Sequence, residues 1–126
     1  MLLQVQESPL KDLQWNNRII LINGHNSIAV TQLANLSLHQ TELLDRELII
    51  LLIAEDSVNL GGKFADQYSS SAIRKWFRIP QEEFMLLLVG KDGTIKIRSD
   101  TLLQPFTIFH SIDQMPMRKR ELNIKY

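Results

Sequence analysis

The segment Glu47–Ala54, ELIILLIA, is apolar at alternate and intervening positions alike. A strand built from it must be covered on both faces, which places it in the middle of a sheet with layers above and below. Arg18–Asn23, RIILIN, is a second short β-branched run, closed by Gly24, and also reads as a buried strand. Between the two, apolar or small residues recur at Ile28, Val30, Leu33, Ala34, Ser37 and Leu38. That spacing predicts a helix whose first amides Asn26 or Ser27 can cap.

The remainder alternates in the same way. From Glu55 the chain is polar and carries Gly61 and Gly62, so it reads as a loop; Ile73, Trp76 and Phe77 then resume helical spacing up to a stop at Pro80. Phe84–Gly90 and Thr94–Arg98 are two strands joined by a tight turn at Lys91, Asp92 and Gly93, where Asp92 and Gly93 tolerate the positive φ the turn demands. In the second of these strands Ile95 and Ile97 share one face, expected to be buried, and Lys96 and Arg98 the other, expected to be exposed. Phe106, Phe109 and Ile112 mark a closing helix. The resulting order, β-α-β-α-β-β-α, predicts an α/β fold with a four-stranded mixed sheet covered by helices on both faces, the order of the thioredoxin fold. At 126 residues and 44% hydrophobic the chain has the size of one domain, residues 1–126, with 1–14 as an N-terminal extension.

Several segments carry a family resemblance: WNNRIILI near the start, Gln32 in the first helix, LLDREL before the second strand, LLLVGKDGTIKIRS, and IDQMPMRKRE. Together, over residues 15–121, they resemble the P-DUDES family, a thioredoxin-like domain of bacterial proteins and of vertebrate sushi-repeat and related matrix proteins. The resemblance implies the fold above and little mechanism, since the family's activity is unsettled between degenerate redox and adhesive or matrix-associated roles. It also implies that many relatives are exported, which leaves the compartment open. The fold it implies usually carries a cis proline directly before the third strand; Pro80 lies near that place, four residues ahead of Phe84.

Composition removes whole classes of chemistry. The sequence has no cysteine, so disulfides, thiolate catalysis and thiolate metal sites are excluded. A thioredoxin-type enzyme would place its cysteines after the first strand, where this chain reads Asn23-Gly24-His25-Asn26-Ser27. Fourteen basic and fourteen acidic residues cancel, so no global field draws the chain to nucleic acid or an anionic membrane. No apolar run reaches the roughly 20 residues of a membrane span, and MLLQVQESPL lacks the pattern of a signal peptide; the chain reads as soluble. Three histidines without paired spacing give no metal site, and GKDGT is not a nucleotide-binding loop, so no cofactor is expected.

Local charge remains. Lys96 and Arg98 with Lys91 form one basic stripe, and Arg118, Lys119 and Arg120 a second; merged, they would offer a surface to an acidic protein or a small anionic ligand. The competing reading is a solvated face with ion pairs to Asp92, Asp100, Asp113 and Glu121. Arg118 in particular can instead be an internal clamp, its planar fork held by Asp113 or Asp92. His25, Asn26 and Ser27 at the head of the first helix are either a capped turn or, in a cysteine-free enzyme, an anion-binding and acid-base centre. His110 with Asp113 reads as a helix-surface pair. The favoured function is a non-catalytic binding module on a degenerate thioredoxin-like scaffold, with the enzyme at His25–Ser27 as the alternative.

With no thiol in the chain, neither disulfide reduction nor thiol peroxidase turnover should exceed a buffer blank in a coupled NADPH assay. Turnover of either kind would contradict the exclusion.

Overall fold

All six residues of the first strand, β1 (Arg18–Asn23), are buried. In the computed structural model, which describes residues 6–125, this strand lies between β2 (Leu48–Ala54), parallel to it, and the antiparallel β5 (Met85–Val89). Helix α1 (Ser27–Ser37) begins where Asn26 accepts the Ala29 amide at 3.1 Å, the capping bond expected of that residue. A short second helix, α2 (Gln40–Asp45), completes the crossover to β2.

The sheet is wider than the four strands expected. After β2 the chain pairs back as β3 (Ser57–Leu60) and β4 (Lys63–Phe64), giving six strands in the order β4-β3-β2-β1-β5-β6. The turn between β3 and β4 consists of Gly61 and Gly62 at φ 59° and 87°. That is the left-handed pair a two-residue hairpin needs. Val58 and Leu60 alternate with Ser57 and Asn59, but the run is only four residues long and only Val58 of this hairpin is fully buried.

Helix α3 (Ser70–Phe77) ends on Arg78 in the left-handed conformation at φ 56°, and the peptide before Pro80 is trans. The hairpin β5–β6 (Ile95–Ser99) turns at Gly93, φ 83°. Its register slips at the turn end: Leu88 faces Ile97 while Val89 faces Ile95, leaving Lys96 as the extra residue. The bulge corrects the expected alternation. Ile97 packs on the core, but Ile95 is 40% exposed on the outer edge. Helix α4 (Pro105–Asp113) follows, and a fifth helix absent from the expected order, α5 (Pro116–Lys125), closes the described chain.

The sheet separates two apolar layers by simple alternation. Ile19, Leu21, Leu51, Ile53, Leu87 and Val89 point to one face, beneath α3 and Leu10 of the N-terminal segment. Ile20, Ile22, Leu48, Leu86 and Leu88 point to the other, beneath α1, α2 and α4. Buried Gln32 of α1 fixes the approach to α4, its amide donating to the Leu103 carbonyl at 3.0 Å and accepting the Leu103 N–H at 2.8 Å.

Candidate functional site

β1 begins with Arg18 and ends with Asn23, both buried, and a buried polar group must find its partners inside the protein. At the Arg18 end those partners form a charged lattice. The Arg18 guanidinium donates to both carboxylate oxygens of Glu121 on α5, at 3.1 and 2.9 Å, and to the Arg46 carbonyl at 2.9 Å. Lys91 donates to Glu121 at 3.0 Å and to Glu47 at 3.1 Å. Arg118 donates to Asp113 at 3.2 Å, to the Asp45 carboxylate at 2.7 Å and to the Asp45 carbonyl at 2.8 Å. Arg46 grips Asp113 through two nitrogens, at 3.1 and 2.8 Å, reaches Glu42 at 2.8 Å and lies over the Phe109 ring.

The four cations of this lattice are buried and each faces at least one carboxylate. Burial by itself would raise the Asp113 and Glu121 carboxyls. Hydrogen bonds from Arg46 and Arg118 to the first, and from Arg18 and Lys91 to the second, outweigh it and hold both below the ordinary carboxylate range. With each of its four cations held by at least one carboxylate, the lattice locks α2, β1 and α5 together.

At the other end of β1 the arrangement differs. The Asn23 amide donates to the carbonyls of Pro80 and Glu83 at 3.1 and 2.7 Å, tying down the loop before β5, and its oxygen accepts from Arg74 Nε at 2.8 Å. Arg74 Nη1 donates to the Glu55 carbonyl at 2.6 Å. Glu55 sits just past β2 at φ 47°, a conformation that costs a non-glycine residue about 1 kcal/mol and that this bond helps to hold. The guanidinium thus spans the carboxyl ends of the two parallel strands, where open α/β sheets commonly receive ligands.

The residues singled out from sequence scatter over the molecule. His25, Asn26 and Ser27 are exposed; Asn26 is occupied as the α1 cap, and His25 lies 3.8 Å from Glu55. Lys91 and Arg118 are turned inward into the lattice, so the two basic stripes do not merge into one surface. Arg118 takes Asp113 as expected, but its second partner is Asp45, whereas Asp92 accepts from Thr94 and Lys96. Arg98 lies over the end of α3, donating to the Phe77 carbonyl at 2.7 Å and to that of Arg78. Arg120 is exposed. His110 is exposed, and Asp113 beside it is held by the two arginines.

Sequence reasoning missed Arg18, Asn23, Arg46 and Arg74. The first two did carry a signal: polar side chains closing both ends of an otherwise apolar, fully buried strand require partners.

A groove of about 520 Å³ opens between α1–α2 and the β2–β3 edge. Its apolar lining includes Leu33, Leu43, Leu44, Ile50 and Leu52, with Asn17, Gln40, Glu47 and Asn59 also at its wall. Leu44 is 76% exposed and Ile50 and Leu52 are half-buried, so part of the core face of β2 stays open. Among the described residues no group of three or more His, Asp or Glu is placed to hold a metal, and no helix is long and apolar enough to cross a membrane.

Residues 9–121 match the family model of a domain of unknown function (DUF4174). The chain is 26% identical over 145 residues to coiled-coil domain-containing protein 80 of Danio rerio, a match covering 94% of this chain and 16% of that protein. It is 35% identical over 63 residues to sushi repeat-containing protein SRPX of Homo sapiens, covering 50% of this chain and 14% of that one. The rat protein of the same name is 40% identical over 50 residues, 40% of this chain and 11% of its own length. The chain therefore spans about a sixth or less of these relatives. No solved structure matches it.

Arg118→Ala removes the common partner of Asp45 and Asp113. Urea unfolding should lose about 3 kcal/mol, the low end for a buried pair because each carboxylate keeps about a third of its surface in water. Arg120→Ala, on the surface, should change stability by less than about 0.5 kcal/mol. Equal midpoints for the two variants would contradict the internal role of Arg118.

Proposed function

The chain belongs to the family of the domain of unknown function (DUF4174), and on that premise we propose that it is a non-catalytic binding module whose α1–α2/β2–β3 groove receives an apolar segment of a partner protein. The scaffold of this reading is thioredoxin-like. Its support is the strand order β2-β1-β5-β6, in which only β1 and β2 run parallel, with β3–β4 added at the β2 edge.

The observation that carries the proposal is the unfinished burial of β2. The same strand that packs Leu48, Leu51 and Ile53 into the core leaves Ile50 and Leu52 half-open beneath the exposed Leu44. A central strand with apolar residues on both faces gains about 25 cal/mol for each Å² it hides from water, so an open stretch favours association. The groove volume falls in the range of sites that enclose apolar groups, and polar residues at its wall give the mixed character of a protein interface.

The enzyme reading is the weaker one. His25, Asn26 and Ser27 line neither this groove nor the clefts beside α3 and α5. Asn26 is engaged as a cap, and the cations of the lattice are each held by a carboxylate.

The native protein should enhance the fluorescence of 1-anilinonaphthalene-8-sulfonate, and Leu44→Lys with Leu33→Gln should cut that enhancement by about threefold while leaving the circular dichroism unchanged. No enhancement in the native state, or the same enhancement in the variant, would sink the proposal.

A further inference from the structure

Five cations are buried among the described residues: Arg18, Arg46, Arg74, Lys91 and Arg118. Four of them face carboxylates in the lattice. Arg74, 8% exposed, does not: its partners are the neutral Asn23 amide oxygen and the Glu55 carbonyl. A buried guanidinium with only neutral acceptors keeps a full positive charge that the surrounding chain leaves unmatched. Its third nitrogen, Nη2, takes no acceptor among the described residues and is not sealed from solvent.

The surroundings of Arg74 repeat the imbalance. Ser71, Arg74, Lys75 and Arg78 stand at positions i, i+3, i+4 and i+7 on one face of α3 and its cap, and they line a shallow cleft of about 430 Å³ with Ile79 and Pro80. Lys75 and Arg78 are exposed, and neither forms an ion pair with a described carboxylate. The one nearby carboxylate whose backbone touches Arg74, that of Glu55, is turned to His25 at 3.8 Å. Basic residues in a last turn often serve the free carbonyls of their helix. Here Arg98, from β6, already occupies the Phe77 and Arg78 carbonyls. The three cations of α3 are therefore surplus to the needs of its C-terminus.

We propose that Arg74, Lys75 and Arg78 form a binding site for a doubly charged tetrahedral oxyanion group, phosphate or sulphate, at the carboxyl ends of β1 and β2. Arg74 supplies a guanidinium already fixed by Asn23 and Glu55, so little conformational freedom is lost when it binds. Lys75 and Arg78 close over the anion from the solvent side, and the Ser71 hydroxyl is available as a neutral donor. The site lies on the α3 side of the sheet, away from the groove, and stands or falls independently of it.

Inorganic phosphate and inorganic sulphate, titrated separately at pH 7.5 and constant ionic strength, test the site by ¹H–¹⁵N correlation spectroscopy. The Arg74 Nε–H and the backbone amides of residues 71–79 and of Gln81 should shift and saturate, with Kd on the order of millimolar for at least one of the two anions. Which anion saturates first assigns the head group. Lys75→Gln with Arg78→Gly should weaken binding by about tenfold or more. That variant remains folded, because glycine adopts the φ of 56° at position 78 without strain and the Arg98 bond goes to a backbone carbonyl. Its melting temperature should equal or exceed the parent's. Shifts that grow linearly without saturation for both anions, or an unchanged Kd in the folded variant, would overturn the proposal.

Discussion

The central strand β1 is buried along its whole length, yet its sequence opens with an arginine and closes with an asparagine. Neither side chain can reach bulk water, and a polar group left unpaired in that position costs on the order of 1–3 kcal/mol, more for a charge. The two ends of β1 therefore dictate where other elements go. Arg18 requires a carboxylate, and α5 is placed so that Glu121 supplies it. Asn23 requires acceptors and a donor, and the loop before β5 and helix α3 are placed so that Pro80, Glu83 and Arg74 supply them. Hydrophobic burial makes the sheet; polar satisfaction at the two ends of one strand decides how its covers are seated.

The parts of the fold driven by apolar pattern were legible in the sequence. β1, α1, β2, α3, β5, β6 and α4 each form over the segment that a run or a stripe marks, although α1 buries Ala29, Gln32 and Leu36 and leaves Ile28, Val30, Ala34, Ser37 and Leu38 of its expected stripe exposed. The parts held by other forces were not. Helix α5 has one fully buried side chain with described surroundings, and that is Arg118, so no hydrophobic periodicity announces it. The β3–β4 hairpin has a two-residue outer strand and reads as a polar loop, although the consecutive glycines between Leu60 and Lys63 are a turn signal. The bulge at Lys96 breaks the strict alternation on which the placement of Ile95 rested.

The candidate sites follow the same division. An arginine in a sequence does not reveal whether it will be matched by a carboxylate contributed from 103 positions away, as Arg18 is. Counting charges along MPMRKRE suggests a surface stripe, whereas the fold turns Arg118 inward and leaves its neighbours Lys119 and Arg120 outside. The lone unmatched buried cation, Arg74, emerges only when the others among the described residues have been assigned their partners. Two features go beyond what the fold needs: an apolar face of β2 only partly covered, and a positive charge at the strand ends without a counterion among the described residues.

The lattice at the start of β1 is a charged lock, and the dependence of stability on pH tests this most directly. Asp113 and Glu121 are held below their ordinary values of 3.8 and 4.5 in the folded protein and return to them on unfolding. Depressed folded values make the stabilisation complete above the unfolded values, and it is lost as pH falls through the folded ones. The urea midpoint should accordingly be flat from neutrality to about pH 5 and drop steeply below it, and Glu121→Gln should flatten that drop. A midpoint that stays level down to pH 3, or a drop of the same size in the Glu121 variant, would contradict the lock.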